Sequence, residues 1–387
     1  MSYYDRALEL KDELIENRRY LHSHAEAGLT LPNTVAYVEK KLREYGIEPE
    51  RCGEGVTALI GKGGKVLLLR ADMDALEMPE ESGLAFASMN PQTAHCCGHD
   101  MHAAMLLTAA KMLKEHESEL QGTVKLMFQP GEECLNGSLN MLENGILENP
   151  KVDAALAYHV GPGKLPIGMF MYNDNSTMMY SNNEFSVTVK GKGGHGALPH
   201  TMTDPVVAAA ALITSLQQVV SRNNNATIPT VLSIGRVIAN GATNVIPPVV
   251  QVAGTLRTMD ERWRAQAKRR IHEIAAGVAA AHCVTAEVKI PEGYPCVVND
   301  PALTVRARSI AAKLWGKEHV EELDLRMTAE DFGTYTERYP SLFFRLGTAR
   351  KNGECGGALH TATFNPDEQA LDYGVVTMAV FALEFLQ

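Results

Sequence analysis

Three short apolar runs in the first half of the chain each end in side chains suited to metal or proton chemistry. Lys65 to Leu69 runs into Arg70-Ala71-Asp72-Met73-Asp74, Thr123 to Phe128 into Gln129-Pro130-Gly131-Glu132-Glu133, and Val152 to Ala157 into Tyr158-His159. Runs this short read as buried strands, and between them Asp100 to His116 carries an alanine- and leucine-rich helical face. Strands alternating with helices predict an α/β fold, a largely parallel sheet with helices on both faces. In such sheets the ligand crevice lies outside the carboxyl ends of the strands. Asp72, Asp74, Glu132, Glu133 and His159 are therefore expected along one edge.

The flanking segments fit this frame. Ala7, Leu10, Leu14 and Leu21 fall at helical spacing, and a second stripe, Val35, Val38 and Leu42, ends at Gly46. From about residue 180 the texture changes. Glu184 to Lys190, Thr227 to Val237, Pro248 to Thr258 and Val284 to Ile290 read as strands, and Pro205 to Val220 and Asp260 to His282 as helices. Their order is the split βαβ, ferredoxin-like pattern. The expected organisation is a larger domain over 1–180 and 291–387, with a smaller α+β domain inserted at 181–290.

The densest chemical text is His95-Cys96-Cys97-Gly98-His99-Asp100-Met101-His102. Thiolates and imidazoles at this density suit zinc and similar ions. A later glycine-rich stretch, Gly356-Gly357-Ala358-Leu359-His360, can bring His360 close to a site. Two adjacent glutamates could divide the work of metal-assisted hydrolysis. One would hold an ion, which lowers the pKa of its bound water to about 7, and the other would move the proton. Neither a serine nucleophile elbow nor a phosphate-cradling loop is present in the sequence.

Composition removes other classes. With 36 basic and 46 acidic residues the net charge is -10, which disfavours nucleic acid as a partner. The longest apolar run, Val206 to Ile213, falls far short of the ~18 residues of a membrane span. Seven scattered cysteines and no apolar amino-terminal segment predict a reduced, cytoplasmic protein.

The ordered motifs are Arg18-Arg19-Tyr20-Leu21-His22, RADMDAL at 70–76, HCCGHDMH at 95–102, QPGEE at 129–133 and Tyr158-His159. They continue with KGKGGHGALPH at 190–200, GATNVIPP at 241–248, GTLRT at 254–258, AEDFG at 329–333 and LHTATF at 359–364. Together they span nearly the whole chain. The set resembles the metal-dependent amidohydrolases that include aminoacylases, hippurate hydrolases, auxin-conjugate hydrolases and N-acetyl-diaminopimelate deacetylases. Ala25 and Glu77 stand where these enzymes usually carry proline.

The resemblance implies two divalent ions per subunit, zinc or manganese first, with cobalt and nickel open. Their ligands would be Cys97, His99, Glu133, His159 and His360. It implies Glu132 as general base, Asp74 as an acid that orients ligands, and His195 as the group polarising the scissile carbonyl. The resemblance also makes the inserted domain 181–290 a lid or dimerisation domain of the catalytic domain, from which Asn244 and Arg257 would hold the substrate carboxylate. The implied reaction is hydrolysis of the amide of an N-acyl amino acid by metal-bound hydroxide. A dipeptidase or carboxypeptidase on the same framework is the alternative, and a homodimer or homotetramer through the inserted domain is open.

Overall fold

The computed structural model describes residues 3–134, 136–173, 177–323, 328–350 and 357–387. The chain forms two compact units: Met1–Met178 with Val298–Leu325 and Thr334–Gln387, and Met179–Val297 with Arg326–Gly333.

The larger unit is built on an eight-stranded sheet. Its central strands, in spatial order Thr123–Gln129, Val66–Asp72, Ala154–Pro166 and Ser341–Ala349, are parallel to one another. Antiparallel Gly55–Gly61 and Pro49–Cys52 extend one side. Phe170–Tyr172, antiparallel to Ser341–Ala349, and Val320–Glu322 extend the other. Val66–Asp72, Thr123–Gln129 and Ser341–Ala349 are buried at every residue, as strands covered on both faces must be. The sheet is thus largely parallel, as the alternation of strands and helices predicts.

The structure departs from the sequence reading in three places. The first helical stripe is broken at Leu10 into Tyr3–Glu9 and Lys11–Ser23. The strand expected to end at Ala157 continues to Pro166, so His159 lies inside a strand rather than past its end. The reason is asymmetric pairing. Val66–Asp72 pairs with it only as far as Arg70 opposite Ala157, whereas Ser341–Ala349 continues, with Arg345 opposite His159 and Leu346 opposite Val160. Asp72 likewise closes its strand rather than following it.

The helix His99–Glu115 is buried along most of its length. It starts at Gly98, whose φ of +91° is a left-handed conformation. A Cβ there would lie 2.4 Å from Val160 Cγ2, so the turn admits only glycine. A buried ionic network ties this turn to the helix Lys11–Ser23. Arg18 Nε donates to Asp100 Oδ2 (2.8 Å), and His22 Nδ1 lies 2.9 Å from the same oxygen. His22 Nε2 lies 3.1 Å from Glu80, and Arg18 also reaches Glu368 at 2.9 Å. Burial opposes the charge of Asp100, but Arg18 and His22 outweigh it and hold the carboxyl far below its usual range. Asp100→Ala should leave buried Arg18 short of a partner and destabilise the fold by about 3 kcal/mol or more. Urea denaturation of the metal-free protein checks this, and a loss under about 1 kcal/mol would show that the network does not anchor the turn.

The smaller unit has a four-stranded antiparallel sheet in the order Thr230–Ile238, Val249–Thr258, Ser181–Lys190, Thr285–Lys289. The helices Pro205–Leu216 and Glu261–Ala281 complete the βαββαβ order. Asp204 and Asp260 cap them by accepting from Val206, Val207 and Trp263 N–H groups. Alternate residues Phe185, Val187 and Val189 meet Leu212, Leu216, Trp263 and Ile271 in one core. This is the α+β ferredoxin-like arrangement read from the sequence.

Candidate metal centre

Several sequence-predicted residues meet at the carboxyl edge of the larger unit's sheet. Cys97 Sγ lies 3.1 Å from His159 Nε2 and 3.4 Å from His360 Nε2, and His360 Nε2 lies 3.2 Å from Glu133 Oε1. Donor atoms of Cys97, His99 and His159 fall within 4.8 Å of one another, and so do those of Cys97, Glu133 and His360. The two groups share Cys97. Glu132 joins Glu133 and His99 within the same limit. Cys96 and Cys97 are both free thiols.

Each side chain is held by its own element. Asp74, two residues past its strand, takes the Glu133 N–H on Oδ2 (3.0 Å) and so fixes the Gly131-Glu132-Glu133 turn. Its backbone oxygen lies 2.9 Å from His99 Nδ1. The Nδ1–H donates there, which leaves Nε2 as the nitrogen that takes up a cation, either a proton or a metal ion. That buried Nε2 makes no hydrogen bond among the described residues. His360 adopts a φ of +60°, and its N–H donates to Cys96 O (2.9 Å). A non-glycine residue in this region stores strain, a mark of functional positions. The neighbouring Gly356 lies outside the described residues.

The local field favours a cation. Burial works against a charge on His99, but Asp72, Cys97 and Asp74 outweigh it and raise its pKa well above the usual imidazole range. Burial also raises the Glu133 carboxyl, yet His360 and His99 overcome this and hold it below its usual range. Burial pushes the Cys97 thiol up to about 12, so it favours a thiolate only against an added positive charge. Burial and then Arg345 hold His159 neutral, its pKa well below the usual value. A lone imidazole nitrogen, a shared thiol and carboxylates in one buried space are the donors that borderline-soft divalent ions take.

His195, Asn244 and Arg257 belong to the smaller unit. His195 pairs in register with Val245, and the Gly196 N–H donates to Asn244 O (2.9 Å), so these two positions are neighbours. The Ala197 N–H donates to His195 Nδ1 (3.1 Å), which puts the ring proton on Nε2 of an exposed side chain. Arg257 is half-buried in the strand Val249–Thr258, opposite Asn182 and Val231.

Sequence reasoning put Asp72 at the sheet edge and His102 in the Cys/His segment without a specific role and missed Arg345, and all three lie against His99 or His159 in the larger unit. His102 Nδ1 is 2.5 Å from Asp72 Oδ1, and Arg345 Nη1 is 3.3 Å from His159 Nδ1. The signal for His102 was its place three residues after His99 on one helix, which sets both on the same face. His95 is buried with neither ring nitrogen hydrogen-bonded among the described residues, and burial lowers its pKa to about 3.

The model of "Peptidase family M20/M25/M40" matches residues 68–384. An N-acetyl-L-cysteine deacetylase of Bacillus subtilis (strain 168) is 36% identical over 366 residues, 94% of this chain and 85% of that protein. An IAA-amino acid hydrolase (ILR1-like 4) of Arabidopsis thaliana is 35% identical over 382 residues, covering 97% and 86%. A Bacillus subtilis structure described as a dinuclear metal binding peptidase from the M20 family superposes with a TM-score of 0.84 at 32% identity, covering 98% of this chain and 99% of that one. With the matched region spanning most of its length and two relatives above one-third identity, this chain belongs to peptidase family M20/M25/M40 and is a hydrolase of amide bonds.

Proposed function

We propose that the chain hydrolyses the amide of N-acyl amino acids, using two divalent ions held by Cys97, His99 and His159 on one side and Cys97, Glu133 and His360 on the other. The observation that carries this reading is the pair of donor groups sharing one buried thiol, with Glu132 beside them. Support for the substrate comes from the deacetylase and the IAA-amino acid hydrolase, whose names both specify an acylated amino acid. The thiol and imidazoles favour zinc, with manganese, cobalt and nickel as further candidates.

When bound, such an ion lowers the pKa of a water to about 7 and polarises a carbonyl. Glu132 takes the proton of the attacking water and returns it to the leaving amine. His195 Nε2–H is suited to donate to the charge that develops on the acyl oxygen. Asn244 and Arg257 hold the substrate carboxylate, Arg257 through its two-pronged donor geometry. His195→Ala should lower kcat and leave metal content intact. Arg257→Ala should mainly raise KM, and only for substrates with a free carboxylate. Kinetics on an acyl amino acid and on its carboxyl amide separate the two, and equal loss on both substrates would remove Arg257 from carboxylate binding.

A hydrolysis screen tests the reading as a whole. N-acetyl, N-benzoyl and indole-acetyl amino acids, with dipeptides as competitors, would be offered with each metal added back. Release of the amino acid from acylated substrates is the expected result. Cleavage of dipeptides alone, with every acyl amino acid left intact, would replace it with a dipeptidase.

A further inference from the structure

The strand Ala154–Pro166 loses one sheet neighbour just before it reaches His159. Val66–Asp72 last pairs with it at Arg70 opposite Ala157. The Val160 N–H is instead taken by a side chain, donating to His102 Nε2 at 2.9 Å. His102 can accept there only if its proton is on Nδ1, and that atom lies 2.5 Å from Asp72 Oδ1. Asp72 is in turn held by Arg70 Nη1 on its other oxygen at 2.6 Å. Both nitrogens of His102 are therefore occupied by protein, so the grouping of Asp72, His99 and His102 is not an open metal site.

The carbonyl of the same residue, one peptide further on, faces His159. Its Nδ1 is 2.7 Å from Val160 O and 3.3 Å from Arg345 Nη1. Arg345 can only donate, and a carbonyl can only accept. If Nδ1 carries the proton, it donates to Val160 O, and Nε2 is a lone pair facing Cys97 Sγ at 3.1 Å. If Nδ1 instead accepts from Arg345, the proton moves to Nε2 and the face toward Cys97 is blocked. The shorter contact selects the first state, provided the Val160 backbone keeps its carbonyl where it is.

We propose that His102 is a positioning residue that replaces the missing strand neighbour, holds the backbone of Val160 by its N–H, and so keeps the Val160 carbonyl in place to retain the proton of His159 on Nδ1. The inference rests on His159 being a metal ligand, as proposed above. Partners one step behind a ligating histidine typically change metal affinity by about 10–100-fold. His102→Leu removes the acceptor without changing charge. His102→Gln restores one, because its side-chain oxygen reaches the place of Nε2.

The test uses full-length protein and two readouts other than turnover. The first is zinc affinity by chelator competition. The second is the tautomer of His159 in 15N-histidine-labelled metal-free protein, assigned with His159→Gln. His102→Leu should bind zinc about 10–100-fold more weakly and move His159 toward the Nε2–H form, and His102→Gln should recover most of both. Should His102→Leu not fold, His102→Asn carries the same expectation, since its shorter amide reaches Asp72 but not Val160. Parent zinc affinity and an Nδ1–H His159 in His102→Leu or His102→Asn would overturn the proposal. So would His102→Gln being as poor as His102→Leu, the result expected of a direct ligand. The underlying reading fails separately, if His159→Ala binds zinc with parent affinity and stoichiometry.

Discussion

Glu132→Gln is expected to keep its metals and to lose turnover by about 10²–10⁴-fold, the share that a positioned general base contributes. The exchange preserves volume and removes only the ability to accept a proton. Glu132 is buried and shares the tight turn Gly131-Glu132-Glu133, whose backbone is held by the Asp74 carboxylate at the Glu133 N–H. That anchor does not involve the Glu132 side chain, so the turn should survive. Glu133→Gln should behave differently. Its carboxylate faces His360 at 3.2 Å and shares the Cys97 group, so metal occupancy should fall first and the rate only in consequence. The pair is decided by elemental analysis beside kcat. Full occupancy and parent turnover in Glu132→Gln would exclude it as the base. Full occupancy in Glu133→Gln would exclude it as a ligand.

The parts of this site that are legible in the sequence are those set by local chain order. Asp72 and Glu132-Glu133 follow apolar runs that can only be buried strands, so their place at one sheet edge follows from topology. The βαββαβ order of the smaller unit is legible for the same reason, because alternation and helical periodicity change at clear turns. The ligand roles came instead from a resemblance spread over many motifs. What stays hidden depends on partners distant in the chain. The extension of Ala154–Pro166 past His159 is set by where Ser341–Ala349 goes on pairing and Val66–Asp72 stops. Arg345 is concealed within a nine-residue strand that is buried throughout. The short edge strands Pro49–Cys52 and Val320–Glu322 exist through their neighbours and carry no period of their own. The clamp at His102 combines these cases, since its role appears only once a missing strand neighbour is known.

Removing the metals should abolish hydrolysis and also soften the fold, and the second effect separates a resident ion from an incidental activator. Without an ion, His99 Nε2 is a buried polar atom with no hydrogen bond among the described residues, and the Cys97 thiol is pushed up to about 12 by burial. An unsatisfied buried group costs about 1–3 kcal/mol, and a ligand bound only by the native state adds stability in proportion to the logarithm of its excess over Kd. Dialysis against a chelator should therefore take the rate to background and lower Tm. Stoichiometric zinc should restore both, with two ions bound per chain at saturation. Manganese should bind more weakly than cobalt or nickel, because affinity rises along that series and thiolate is a poor partner for the harder ion. Asp74 lies outside the shared-thiol groups, but its carboxylate holds the Glu133 turn and lies 3.3 Å from His99 Nδ1. Asp74→Asn should thus weaken binding by about 10–100-fold without removing a ligand. A chelated protein that elemental analysis shows to be metal-free and that still turns over at the parent rate would end the metal reading. A protein whose activity depends on metal while its Tm does not would place the ion outside this buried cluster, since filling these donors must stabilise the state that gathers them.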